Sequence, residues 1–215
     1  MSTGSYADWV TALANVGIAG AALVAAALGY RGLHAWRTET IGKRKAELAE
    51  QVLADFYEAR DVLQAARQPF TYSNEGNTRQ KEVDETEADT QRLNTYFAIS
   101  ERLLKRNDFF AKLLARQYRF LALFGHDSEQ IRPFDELFRI RSDVMRAVEM
   151  LMSTYKLHRM GEPPPDRKLR EDWESAIGWG DPEHDAIARR LNEVVETIEK
   201  TCRPAIEEVA KSRKS

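Results

Sequence analysis

Four histidines (His34, His126, His158 and His184) and one cysteine, Cys202, are the side chains best suited to metal or nucleophilic chemistry. A di-iron helical bundle needs Glu-x-x-His on each of two helices. The residues three before His126, His158 and His184 are Leu123, Tyr155 and Asp181. Only Asp181-x-x-His184 comes near the pattern, at a place where an aspartate is better used to cap a helix. There is no His-Glu-x-x-His and no cysteine pair for zinc. A nucleophile needs a base held beside it, and Cys202 has no histidine near it in sequence. No Gly-x-Ser-x-Gly elbow, Walker loop or Gly-x-Gly-x-x-Gly turn is present. The expectation is a chain with no metal centre, no cofactor and no catalytic activity.

One region is chemically denser than the rest. Asp55, Tyr57, Glu58, Arg60, Asp61 and Arg67 lead into Tyr72, Asn74, Glu75, Gly76, Asn77, Thr78 and Arg79. Arg60 and Arg67 are two turns apart on one helix face. Gly76 can take a positive φ, and backbone N–H groups beside arginine can cradle an anion or a carboxylate. Arg60, Arg67, Glu75 and Arg79 are therefore the candidate ligand-binding residues, for a small anionic ligand. The plainer alternative is that Arg67 and Arg79 pair with Glu75 or Asp61 and pin the loop to the body of the protein.

The elements that must position these groups follow from patterning. The chain has 215 residues, a net charge of −2, a single cysteine and a mean hydropathy of −0.54. Balanced charge and a normal apolar fraction exclude a wholly disordered chain, and one cysteine excludes a disulfide scaffold. Near-zero net charge argues against a nucleic-acid partner. These averages hide a run from Val10 to Tyr30, 21 residues without a charge. As a helix that run is about 30 Å long, the thickness of a bilayer's hydrocarbon core. Trp9 stands at one end and Tyr30 and Trp36 at the other, as in interfacial aromatic belts. Its seven strongly apolar side chains favour insertion by about 2 to 4 kcal/mol, a modest margin because Ala and Gly fill about half the run. The residues before it lack the positive charge of a signal peptide. Arg31, Arg37, Lys43, Arg44 and Lys45 follow it. Their side is expected to stay in the cytoplasm, with the basic cluster against anionic lipid head groups. Gly17, Ala21, Ala25 and Gly29 form a small-residue row that could bring two copies together.

Beyond the run, the periodicity is helical. Leu48, Val52, Phe56, Ala59, Leu63 and Ala66 recur at spacings of three and four, one apolar stripe on a helix closed before Pro69. Glu82–Asp89 reads as an exposed, frayed helix start. Asn107 or Asp108 is the expected N-cap of a dense apolar helix that Gly125 ends. Pro133 is expected at the first turn of the next helix, which ends near Met160-Gly161. Pro163–Pro165 is a stiff spacer. A short amphipathic piece lies around Trp173, and Asp181-Pro182 is expected to open the last helix, with Pro204 kinking or splitting it. No strand pattern persists.

The run Gly42–Arg79, behind the apolar segment and Trp36-Arg37, resembles a group of bacterial single-pass inner-membrane proteins of uncharacterised activity. The resemblance covers the N-terminal third and implies a bacterial inner-membrane location, but no activity.

The fold class expected is all-α: one N-terminal transmembrane helix followed by a cytoplasmic antiparallel bundle of about four or five helices. The boundaries are a short outer N-terminus (1–9), the span (10–30), a juxtamembrane and first cytoplasmic helix (31–68), a bundle core (69–161), the spacer (162–166) and C-terminal helices with a basic tail (167–215). The expected function is a membrane-anchored interaction or scaffold protein. Its expected partners are the lipid bilayer, other proteins and a second copy of itself. The rival is a tethered sensor that binds a small anion near Arg60, Arg67 and Arg79.

Overall fold

The computed structural model describes residues 4–68, 75–178 and 182–212, the side chains of 4–10, 12, 14, 16, 19, 22, 128, 182 and 212 excepted. Among them are six α-helices and no strand: α1 (Gly4–Ala66), α2 (Glu87–Leu104), α3 (Asn107–Phe124), α4 (Ser128–Arg159), α5 (Arg167–Ala176) and α6 (Ala186–Ser212). The chain divides into two compact units, Met1–Lys45 and Ala46–Ser215.

The first unit is helical wherever it is described. Leu13, Ile18, Leu23, Val24 and Leu28 are all exposed, and so are Tyr30, Leu33 and Trp36. Among the described residues, no helix is long and apolar enough to cross a membrane.

The second unit is an all-α bundle. The stripe on α1 is its spine: Val52, Phe56, Ala59 and Leu63 are fully buried, with Leu48 and Ala66 nearly so. The Phe56 ring meets Phe134 of α4 edge to face, 5.0 Å between centroids. α4 packs against α2, α3, α5 and α6. It presents Phe134, Leu137, Ile140 and Val144 to the core at helical spacing.

Several element ends differ from the sequence reading, each for a local reason. Glu82–Glu85 forms a turn rather than a frayed helix start, its Glu85 N–H donating to the Glu82 carbonyl. α2 begins only after Thr86, whose hydroxyl accepts from the Asp89 N–H while Asp89 accepts from the Thr86 N–H, a reciprocal capping box. Asn107 does not cap α3. Its side-chain oxygen is taken by Arg141 at 2.5 Å, and Arg106 holds the cap position without a side-chain bond. Pro133 lies inside α4, because the helix already starts behind Asp127, whose carbonyl accepts from Gln130 and Ile131. The last helix starts behind Asp185, which accepts from the Ala188 N–H at 3.0 Å, and Pro182 opens a 3₁₀ turn ahead of it. Asp181 and Trp179 lie outside the described residues. α6 runs unbroken through Pro204. α3 ends at Gly125 (φ +105) as expected, and Gly161 follows α4 at φ +91.

Candidate functional site

The four residues expected to hold an anion do not share one open site. Arg67 is 4% exposed and donates to the carbonyls of Ser175 and Ala176, at 3.0 and 2.8 Å, at the end of α5. It also pairs with Asp185 at 2.7 Å. One guanidinium thus closes the C-terminus of α5, a favourable charge–dipole contact, and forms an ion pair with the carboxylate that caps α6. Burial works against the Asp185 carboxylate, but Arg67 and the Ala188 N–H hold it below the usual carboxylate range.

Arg79 is buried as well. It forks onto Glu85 at 2.7 and 2.5 Å and donates to Asn94 and to the Gln80 carbonyl. The Arg79 fork holds the Glu85 carboxyl down to about 2 against the opposing effect of burial. Glu75 is bound by Arg102 of α2, which also donates to the carbonyls of Ala66 and Gln68 at the end of α1. Arg60 lies against Asp61 and over the Tyr57 ring. From Glu75 onward the loop is pinned, as the plainer reading has it, but Arg67 pairs with Asp185, Arg79 with Glu85 and Glu75 with Arg102; Tyr72 and Asn74 lie outside the described residues. Gly76 sits at φ +77, and a β-carbon there would lie 2.2 Å from the Asn94 carbonyl oxygen. Gly76→Ala is expected to lower stability by about 2 kcal/mol or more, from the positive φ and the backbone clash together, read as a shift in a urea denaturation midpoint.

The other candidate groups give little chemistry. Among the described residues no cluster of three or more His, Cys, Asp or Glu could hold a metal ion. Cys202 is fully buried, and burial pushes its thiol up to about 12, so it is a core side chain rather than a nucleophile. Of the residues expected at a membrane interface, Tyr30, Arg31, Trp36, Arg37, Lys43 and Arg44 are exposed and Lys45 is half-buried. Lys43 pairs with Glu39 at 2.6 Å. The Trp9 side chain is outside the described residues.

The site that sequence reasoning missed lies between α2, α4, the proline spacer and α5. It is a cavity of about 350 Å³ lined by Arg92, Tyr96, Leu151, Thr154, Tyr155, His158, Pro164, Pro165, Arg170 and Trp173. Helical spacing puts each contribution on one face: Arg92 and Tyr96 on α2, Thr154 and His158 on α4, Arg170 and Trp173 on α5. Two of its walls are locked. Tyr155 donates its hydroxyl to Asp89 at 2.6 Å, the carboxylate that also caps α2, and that bond raises the phenol above its usual range. Tyr96 is 2% exposed. Burial raises its phenol, Glu174 adds to the rise, and Arg92 and Arg170 oppose it, so both guanidinium groups act on the same hydroxyl. The Arg92 guanidinium lies over the Tyr155 ring, 5.5 Å from its centroid. The signal available in the sequence was an arginine one turn from an aromatic residue on two separate helices. Its meaning depends on α4 packing against both, which no local pattern encodes. No known protein family, no curated protein and no solved structure matches the chain.

Proposed function

We propose that the protein is a non-catalytic scaffold tethered to the bacterial inner membrane, with residues 10–30 as a single-pass anchor, the N-terminus outside and an antiparallel helical domain in the cytoplasm. The observation that carries the reading is the charge-free run with its large apolar side chains uncovered: Leu13, Ile18, Leu23, Val24 and Leu28 are between 60 and 73% exposed. A contiguous apolar helix left in water is costly, and lipid is the environment that relieves the cost on all sides at once. The arginines and lysines that follow supply the orientation. Ala and Gly dilute the run, and six of its side chains lie outside the described residues. The helical domain, with its locked ion pairs, acts through surface contacts with other proteins or with a second copy.

The test is fractionation of bacteria that produce the full chain. The protein is expected in the membrane pellet and to resist alkaline carbonate, while a chain lacking residues 10–30 moves to the supernatant. A full chain found in the supernatant, or released by carbonate, overturns the anchor. A C-terminal reporter active in the periplasm overturns the topology. The sensor reading loses its expected place, because Arg67, Glu75 and Arg79 are each bound internally.

A further inference from the structure

We propose that the cavity between α2, α4 and α5 binds a small planar aromatic compound carrying one anionic group, a carboxylate or a phosphate. Three features select that chemistry. The walls are aromatic and apolar: Tyr96, Tyr155 and Trp173 offer ring faces and edges, and Leu151 and the two prolines close the rest. Rings are favoured there by offset and edge-on packing. The fixed charges at the rim are cationic. Arg92 and Arg170 line the cavity beside Thr154 and His158, and no carboxylate does. Arg92 has no ion pair among the described residues; its guanidinium lies over the Tyr155 face and acts on the Tyr96 hydroxyl. Arg170 pairs with Glu174 at 2.9 Å, an i,i+4 pair along α5 with the carboxylate half-buried. An incoming anion would thus meet one guanidinium without an ion pair and a second held by a single half-buried carboxylate. Planar forks of this kind bind carboxylate or phosphate through two parallel hydrogen bonds.

Size sets the third limit. An apolar cavity of roughly 150 Å³ is enough for benzene. One of about 350 Å³ takes a one- or two-ring compound with its anionic group, and excludes a folded chain or a nucleotide with a triphosphate. The α2–α4 side of the pocket is pre-formed, because the capping box of α2 fixes Asp89 and Asp89 fixes Tyr155. Pre-organisation of this kind reduces the ordering cost of binding.

The inference is independent of the membrane anchor, since every lining residue belongs to the unit Ala46–Ser215. A chain that fractionates as soluble would leave it standing.

Calorimetric titration of the full chain in phosphatidylcholine nanodiscs tests it, with empty nanodiscs as the blank. The probes are benzoate, phenyl phosphate, benzyl alcohol and inorganic phosphate. Benzoate or phenyl phosphate is expected to bind with one-to-one stoichiometry, and whichever binds more tightly tells carboxylate from phosphate. Benzyl alcohol, which has the ring without the charge, and inorganic phosphate, which has the charge without the ring, should each bind at least about tenfold more weakly. Arg92→Gln, at an exposed position, should keep the wild-type melting temperature and weaken the anionic probes about tenfold. Arg170→Gln should act in the same direction. The proposal is overturned if neither aromatic anion binds, if benzyl alcohol binds as tightly as benzoate, or if Arg92→Gln and Arg170→Gln both leave the affinities unchanged.

Discussion

Val52→Asp and Phe56→Asp chains are expected to show no cooperative thermal transition and to accumulate as aggregate, while Glu50→Ala melts like the parent. Both target positions are fully buried on the α1 stripe, and Glu50 is exposed on the opposite face. Removing the Phe56 ring alone, by Phe56→Ala, costs about 3 to 5 kcal/mol from lost transfer energy and the cavity left behind. Part of that loss is the edge-to-face contact with Phe134. A domain of this size has a total stability of about 5 to 15 kcal/mol. The aspartate adds a carboxylate inside the buried apolar cluster, which pushes the balance further towards the unfolded chain. Circular dichroism on heating reads the result, and a parent-like melting temperature for either aspartate variant would refute the stripe as the packing spine.

Breaking the Arg79–Glu85 pair is expected to have the second largest effect. The two side chains are 5% and 1% exposed, and the guanidinium also serves Asn94 and the Gln80 carbonyl. Arg79→Leu leaves Glu85 buried without its counter-charge, a loss of about 3 to 5 kcal/mol by the usual measure of an orphaned buried ion. Acid should reproduce part of it. Because Glu85 is held down to about 2 in the folded protein from an ordinary value of 4.5, its contribution is fully present above about pH 4.5. That contribution is lost as pH falls toward 2. Asp185, held below its usual range by Arg67 and backbone N–H groups against burial, adds to the same slope. Urea midpoints measured from pH 6 down to pH 2 should fall steeply for the parent and less steeply for Glu85→Gln, which starts from a lower stability. Parallel slopes for the two chains would show that Glu85 is not the group responsible.

The bundle was legible in the sequence where burial repeats at the helical period. The six stripe residues of α1 and the apolar face of α4 are both sequence patterns and core. Helix ends were less legible, because several candidates compete for each cap and long-range contacts choose among them. Asn107 looks like a cap until Arg141 takes its oxygen, and Asp185 wins the start of α6 because Arg67 comes to it from a position 118 residues away. The same remoteness explains the site. Arg60, Arg67, Glu75 and Arg79 are neighbours in the chain, and proximity in sequence suggested a shared ligand. In the fold each is bound by its own partner. The cavity residues are far apart in the chain, spread from Arg92 to Trp173, and three helices and a proline spacer are needed to bring them together.

α4 touches α2, α3, α5 and α6, so each of those helices leans on the same central rod. A domain built around one shared rod has no seam along which it could come apart into two stable halves. Opening can start only at the periphery, and α5 is the cheapest piece to detach: ten residues, none of them buried. The free-energy landscape of the domain is therefore graded rather than modular. The margin that breathes first is the one that roofs the cavity, and the rod beneath it opens only with the whole domain.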